Sequence, residues 1–349
     1  MIMTTKPSVN KKRVLIIAAA AIVLIAAIVA GTLCFIFKPG TFDNVEREYV
    51  YIYPQSSCND VVAQLKPLCS GQLRAFKFLY HYFKLDENIP AGAYTVVPGQ
   101  SEVDFLKNVY RRQQTPVKFT FNNTRTIEAV ALRAGEQLLM SADSLSRLLL
   151  NEQTPGGFGF TSATFPAMFI PNTYELYWNI SAPAFLTRMK KEYDLFWNQQ
   201  RKEKAERAGL TPLEVCILAS IVEEESNLHE EQPIIAGLYL NRLRRGMLLQ
   251  ADPTVKFAVG DFTLRRILNE HLKTESPYNT YLYAGLPPGP IRIPSSQAIN
   301  AVLNAANHNY LYMCAKEDFS GRHNFAVSLS EHNRNAARYH SALNLRRIR

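Results

Sequence analysis

The sequence predicts an α+β protein: an N-terminal transmembrane helix, a small βααβ module, and a larger mixed α/β domain. Three observations carry this expectation. An uncharged apolar run near the N-terminus is long enough to cross a bilayer. Beyond it, short β-branched and aromatic stretches with period-two character alternate with longer stretches of helical period. The chain of 349 residues is 47% hydrophobic and 20% charged, an ordinary globular balance, so the roughly 300 residues after the run are expected to fold.

The apolar run extends from Val14 to Phe37, 24 residues without a charge. As a helix it spans about 36 Å, enough for a hydrocarbon core of about 30 Å with some tilt. Lys11, Lys12 and Arg13 flank it, which places residues 1–13 in the cytoplasm and the rest outside. A signal peptide has an apolar region of about 7–15 residues and a small-x-small cleavage site. This run is longer, and its exit, Phe35-Ile36-Phe37-Lys38, carries no such site. Leu33 before Cys34 also fits a lipoprotein cysteine poorly. The expected location is therefore the cytoplasmic membrane, single-pass, with an extracytoplasmic domain.

After a polar link, Tyr49 to Tyr53 reads as a strand stopped by Pro54, and Asp60 to Leu65 as a short helix that begins at Asn59. Gln72 to Phe83 reads as a second helix, and Gly92 to Val96 as a second strand closed by Pro98-Gly99. This strand–helix–helix–strand order over residues 38–100 resembles a LysM module, which would bind N-acetylated sugars. Residues 101–175 read as a connecting α/β region: a helix over Ser101 to Arg111, a strand over Val117 to Phe121, and two helices within Thr126 to Leu150. The loop Thr154 to Gly159 lacks the Gly-Lys-Ser/Thr of a phosphate loop. Residues 176–349 form the last domain, with one charged helix from Phe185 to Ala208 ended by Gly209.

Five cysteines are scattered without a C-x-x-C pair, so neither zinc nor thioredoxin chemistry is indicated. Cys58 and Cys69 flank a helical stretch whose ends would lie roughly 16 Å apart, too far for a disulfide. His323 and His332 lack zinc-pair spacing, and His229-Glu230-Glu231-Gln232 misses H-E-x-x-H at its last residue. The net charge of +9 calls for an anionic partner, but no nucleic-acid motif accompanies it.

The segment Thr211 to Ser226 holds the most chemistry. Thr211, Pro212 and Glu214 form a capped helix start. Val215 to Val222 is apolar nearly all round, the pattern of a buried helix. Glu223, Glu224 and Glu225 then arrive together at its C-terminal end. Burial, like charges and the negative helix end all favour a protonated carboxyl, as glycosidic cleavage needs from its acid. A glutamate triplet of this kind is also what a helix shows on emerging into solvent, and local physics leaves that reading ahead. By spacing, Glu223 stacks over Ala219 and Ser220, a face of small side chains with room for a substrate. Glu224 stacks over Ser220 and Ile221, and Glu225 over the greasier Ile221 and Val222.

Leu218-Ala219-Ser220-Ile221-Val222-Glu223 resembles the catalytic helix of the endolytic murein transglycosylases, the YceG-like family. The resemblance continues in order through Asn241-Arg242-Leu243, Leu249 to Val255, Pro277 to Tyr281, Gly285 to Ile291, His323-Asn324-Phe325 and Glu331-His332-Asn333. It spans about residues 45–345 and is strongest from 215 to 335. It implies a lytic transglycosylase that cleaves the MurNAc–GlcNAc bond of nascent peptidoglycan strands and leaves 1,6-anhydro ends, which would terminate elongation. Residues 176–349 would be its catalytic domain.

By the resemblance Glu223 is the acid and then the base, with no metal or nucleotide cofactor. Glycan strands are the implied substrate, and penicillin-binding protein synthases the implied partners. Gln250, Asp252, Thr254, Asn279 and His323 are expected to hydrogen-bond the sugars, and Tyr278, Tyr281 and Phe325 to offer them flat faces. Asp252-Pro253-Thr254 as a helix-opening turn, and Leu286 to Gly289 as a rigid loop, remain open readings.

Two departures stand out: Asn172 where the family usually carries Asp, and Arg292-Ile293-Pro294-Ser295 where Asn-Pro-Gly is usual. Neither is expected to touch Glu223. The other function class compatible with the sequence is a catalytically inactive, membrane-anchored peptidoglycan-binding scaffold for wall synthesis enzymes.

Overall fold

The computed structural model describes residues 11–36, 42, 45–69, 73–264 and 266–346. Most of the expected cytoplasmic tail, Phe37 at the end of the expected span, much of the polar link, and Gln72 lie outside the described residues. The fold is α+β and divides into two compact units, residues 1–117 with 176–179, and residues 118–175 with 180–349.

The first unit opens with α1 (Lys11–Ile36), long and apolar enough to cross a membrane. It fits a single-pass anchor. Its one hydroxyl-bearing side chain, Thr32, donates to the carbonyls of Ile28 and Val29 at 2.5 and 3.0 Å, which hides the hydroxyl from an apolar surrounding.

Next come β1 (Glu48–Ile52), α2 (Cys58–Leu65), α3 (Arg74–Tyr82), β2 (Gly92–Val96) and α4 (Glu102–Tyr110). β1 and β2 pair antiparallel, Glu48 opposite Val96 and Ile52 opposite Gly92. The alternation of β1 sends Val50 and Ile52 into a core with Val61, Leu65, Phe76 and Tyr94. Tyr51 and Tyr53 instead meet the edge of Trp178, with ring centroids 5.0 and 4.8 Å apart. The Gln64 amide accepts from Tyr51 N at 3.0 Å and donates to Tyr51 O at 2.8 Å, which satisfies backbone groups of β1.

Helix α2 starts at Ser57, not Asn59. Ser57 and Asp60 complete a reciprocal capping box, a stronger signal than an asparagine two residues too late. Phe105, Leu106 and Val109 of α4 join the same core, so this unit runs on beyond residue 100.

The second unit contains β3 (Val117–Phe121), α5 (Ile127–Gln137), α6 (Ala142–Leu149), β4 (Asn172–Leu176), α7 (Ala182–Phe196), α8 (Gln199–Ala208), α9 (Pro212–Glu225), α10 (Gln232–Arg244), α11 (Asp252–Val259), α12 (Ser296–Leu303), β5 (Tyr312–Ala315), β6 (His323–Ala326) and α13 (Leu329–Leu345). The single helix expected over Phe185 to Ala208 is two helices. The Asn198 side chain accepts from Arg201 N at 3.0 Å and caps α8 in the middle of the charged stretch. The core gathers around α9, with Leu218, Ile221 and Val222 against Ile235 and Leu238 of α10 and Ile299 and Val302 of α12. Gly237 lets α10 approach the 306–308 segment, because a Cβ there would lie 2.4 Å from the Ala306 carbonyl oxygen. β5 and β6 form an antiparallel hairpin, with Ala315 opposite His323.

Candidate active site

Helix α9 begins as its sequence dictates. Glu214 N donates to the Thr211 hydroxyl at 3.2 Å, and Thr211 N donates to the Glu214 carboxylate at 2.7 Å. Every residue from Val215 to Glu223 is buried. The expected substrate space over Ala219 and Ser220 is not there, since both are 0% exposed. The protein itself occupies that face. Ser220 Oγ donates to Ile217 O at 2.7 Å and accepts from Ile291 N at 3.0 Å, so the 291–295 segment lies on it.

Successive helix positions are turned by about 100°, so the three glutamates meet three environments. Glu223 is 8% exposed. One of its oxygens accepts from Asn123 Nδ2 at 3.0 Å. The other accepts from Ser295 N at 3.1 Å and pairs with Arg292 Nε at 3.3 Å. Glu224 pairs with Arg292 at 2.7 Å and Arg125 at 3.1 Å. The expectation that the Arg292-to-Ser295 departure leaves Glu223 untouched therefore fails. Arg292 and the Ser295 amide are two of the three groups that hold its carboxylate. Asn172, by contrast, turns its side-chain oxygen to Thr173 N at 2.8 Å, a local turn contact at the start of β4.

Glu225 faces open space. It lines a cavity of about 250 Å³ with Tyr239, Arg242, Gln250, Asp252, Tyr281 and His323. It also lines a wider opening of about 880 Å³ with Glu224, Asp252, Lys256, Arg266 and His340. Glu225 and Asp252 belong to both spaces. Tyr239 donates to Glu225 Oε1 at 2.6 Å, and Tyr281 donates to Asp252 Oδ1 at 2.6 Å.

Burial pushes the Glu225 carboxyl up to about 7. The Tyr239 hydrogen bond opposes this, Asp252 and Glu224 add to it by charge repulsion, and Arg242 opposes it. The hydroxyls of Tyr239 and Tyr281 are raised by burial and by the carboxylates they serve, so both remain protonated donors. Arg242 is itself buried and satisfied by carbonyls, its Nε at 2.6 Å from Leu311 O and its Nη1 at 2.8 Å from Leu249 O.

The structure brings four of the expected binding residues around this space: Gln250, Asp252, Tyr281 and His323. Four others lie in the packing of the protein. Thr254 is 0% exposed and donates to Ala251 O at 2.8 Å beside the Thr280 hydroxyl. Asn279 is also 0% exposed, and its amide ties Leu272 O and Thr274 O, both at 2.9 Å. Tyr278 packs on Phe257 at 4.6 Å, and Phe325 stacks on Tyr310 at 5.6 Å. Asp252-Pro253-Thr254 does open a helix, α11. Sequence reasoning weighed Glu225 but selected Glu223, and it singled out neither Tyr239 nor Arg242 as a site residue, although Arg242 lies within the Asn241-Arg242-Leu243 block.

Residues 50–338 match the model of the YceG-like family. The chain belongs to the YceG-like family. An endolytic murein transglycosylase of Bacillus subtilis is 32% identical over 180 residues, 52% of this chain and 48% of that protein. One of Streptococcus pneumoniae is 26% identical over 294 residues, 74% of this chain and 52% of that protein. The chain thus spans about half the length of these relatives. A crystal structure of a YceG-like protein from Listeria monocytogenes superposes with a TM-score of 0.54 at 25% identity, and covers 83% of this chain and 98% of that one. That likeness extends over most of this chain.

Proposed function

We propose that this YceG-like chain is an endolytic lytic transglycosylase of peptidoglycan, with Glu225 as its acid and base. The observation that carries the reading is the Glu225 carboxyl, raised to about 7 where two open spaces meet. Glu223, the residue selected from sequence, suits an anchoring role better, because protein donors meet both its oxygens.

In the first step the Glu225 proton passes to the glycosidic oxygen, and the MurNAc C1–O4 bond breaks with GlcNAc leaving as its 4-hydroxyl. In the second step the Glu225 carboxylate takes the proton of the MurNAc 6-hydroxyl as O6 bonds to C1. The carboxyl is regenerated, no water is consumed, and a 1,6-anhydro end results. A carboxyl that titrates near neutrality serves both steps, since it gives and regains a proton at little cost. Tyr239 holds it in place. Asp252 adds negative charge near the developing oxocarbenium ion, and Gln250, Tyr281 and His323 supply hydrogen bonds to the sugars.

The remaining assignments follow from this reading. The basic flank of α1 favours a cytoplasmic N-terminus, with the part of the first unit after α1 and the whole second unit outside, in the space where strands are made. The βααβ order of the first unit supports a LysM-like glycan-binding role. Strand termination beside penicillin-binding synthases suits an endolytic cut in nascent strands. The test is product analysis: the full chain in detergent, incubated with uncrosslinked glycan strands, yields fragments with anhydro ends by mass spectrometry. Reducing ends alone would assign a hydrolase. Retention of strands without any cleavage would assign a binding scaffold.

A further inference from the structure

Glu231 stands immediately before α10 and is 4% exposed, the more buried of the two carboxylates in the turn that follows α9. Such burial costs free energy unless donors surround the carboxylate. Three do. Oε1 accepts from His323 N at 2.9 Å. Oε2 accepts from His323 Nδ1 at 3.0 Å and from the Ser226 hydroxyl at 3.4 Å. Both bonds to His323 come from one carboxylate, one to its backbone and one to its ring, so the position and rotation of the imidazole are fixed together. Ser226 directly follows Glu225, so the same carboxylate also ties the end of the acid-bearing helix to β6.

A carboxylate has no proton to give, so Nδ1 must carry the hydrogen in this bond. A neutral ring then keeps its lone pair on Nε2. That nitrogen makes no hydrogen bond among the described residues, while His323 lines the same cavity as Glu225. We propose that Glu231 is a positioning residue that holds His323 as its Nδ1–H tautomer and leaves Nε2 as a hydrogen-bond acceptor for a hydroxyl or acetamido N–H of the bound glycan. This rests on the transglycosylase reading and deepens it. Glu231 itself touches no substrate, and the other donors in the cavity (Tyr239, Arg242, Tyr281) already have protein partners. His323 Nε2 thus adds to the cavity an acceptor without a protein partner among the described residues.

The experiment combines two readouts on the full-length chain in detergent micelles. With ¹⁵N-histidine labelling, the wild-type His323 ring shows a protonated Nδ1 and a lone-pair Nε2, and Glu231→Gln shifts it toward the other tautomer. In the anhydro-end release assay, Glu231→Gln lowers kcat/KM by about 10–100-fold, by analogy with removal of the carboxylate that orients a metal-binding histidine. His323→Ala lowers it similarly, and the double variant is no worse than His323→Ala alone. Additive losses, or an unchanged tautomer in a folded Glu231→Gln protein, would mean that Glu231 is only a structural tie. Should that variant fail to fold, a wild-type His323 protonated on Nε2 overturns the proposal by itself. A wild-type protein that releases no anhydro ends defeats the transglycosylase reading instead, and leaves the tautomer measurement to decide the role of Glu231.

Discussion

Replacing Glu225 by glutamine keeps the size of the side chain and an oxygen for Tyr239, but removes the proton. With its carboxyl raised from 4.5 to about 7, Glu225 is half protonated at neutral pH. An unperturbed glutamate would be protonated in roughly one molecule in 300. General acid–base catalysis contributes about 10²–10⁴-fold per proton transfer, and Glu225 serves both successive steps, so turnover should fall by about 10²–10⁴-fold.

The same shift predicts a stability change of defined sign. The folded carboxyl binds its proton more tightly than the unfolded one. Its stabilising effect is therefore complete below the unfolded value near 4.5, and is lost as pH rises through about 7. The loss amounts to about 3 kcal/mol. Glutamine does not titrate, so Glu225→Gln should melt above wild type at pH 8 and close to it at pH 4. Anhydro-end release by mass spectrometry and calorimetric Tm against pH are the assays. A Glu225→Gln protein with wild-type turnover, beside a Glu223→Gln protein without any, would refute the assignment. A wild-type Tm that runs parallel to that of the variant from pH 4 to 8 would refute the electrostatics.

Other predictions follow from the packing. Glu223→Gln should unfold more easily by about 1.5–3 kcal/mol, because it gives up a charged partner of Arg292, while turnover stays within about tenfold of wild type; urea unfolding with the release assay separates the two effects. Arg292→Leu leaves Glu223 and Glu224 short of a cation and should also cost about 1.5–3 kcal/mol in urea unfolding. Gly237→Ala should destabilise the protein in thermal melts although alanine is the better helix former, since the new Cβ meets the Ala306 carbonyl oxygen at 2.4 Å. Thr254→Val should lower Tm through its lost hydroxyl contacts and leave KM for glycan strands unchanged, as expected of a packing residue.

Much of the fold follows from local rules. The capping box of α9, the strand over Val117 to Phe121, and the two helices before Leu150 depend on residues a few positions apart, so the order of side chains suffices to place them. β4, β5 and β6 were not legible because they carry at most one β-branched residue each, where β1 to β3 carry two. The break between α7 and α8 turns on one asparagine whose capping role shows only once the chain bends there.

The site divides along the same line. The sequence by itself determined that a buried helix ends in three glutamates, one suited to hold a proton, and that polar residues from several later blocks accompany it. Which glutamate faces the open space was decided by tertiary structure alone. The reason is geometric: neighbouring helix positions differ by about 100° in direction. The 291–295 segment and Asn123, far away in the chain, close over Glu223. Tyr239, Asp252 and the β5–β6 hairpin leave Glu225 open to the cavity. Burial and charge repulsion act on a carboxyl according to what surrounds it in space, and only the packed chain determines those surroundings.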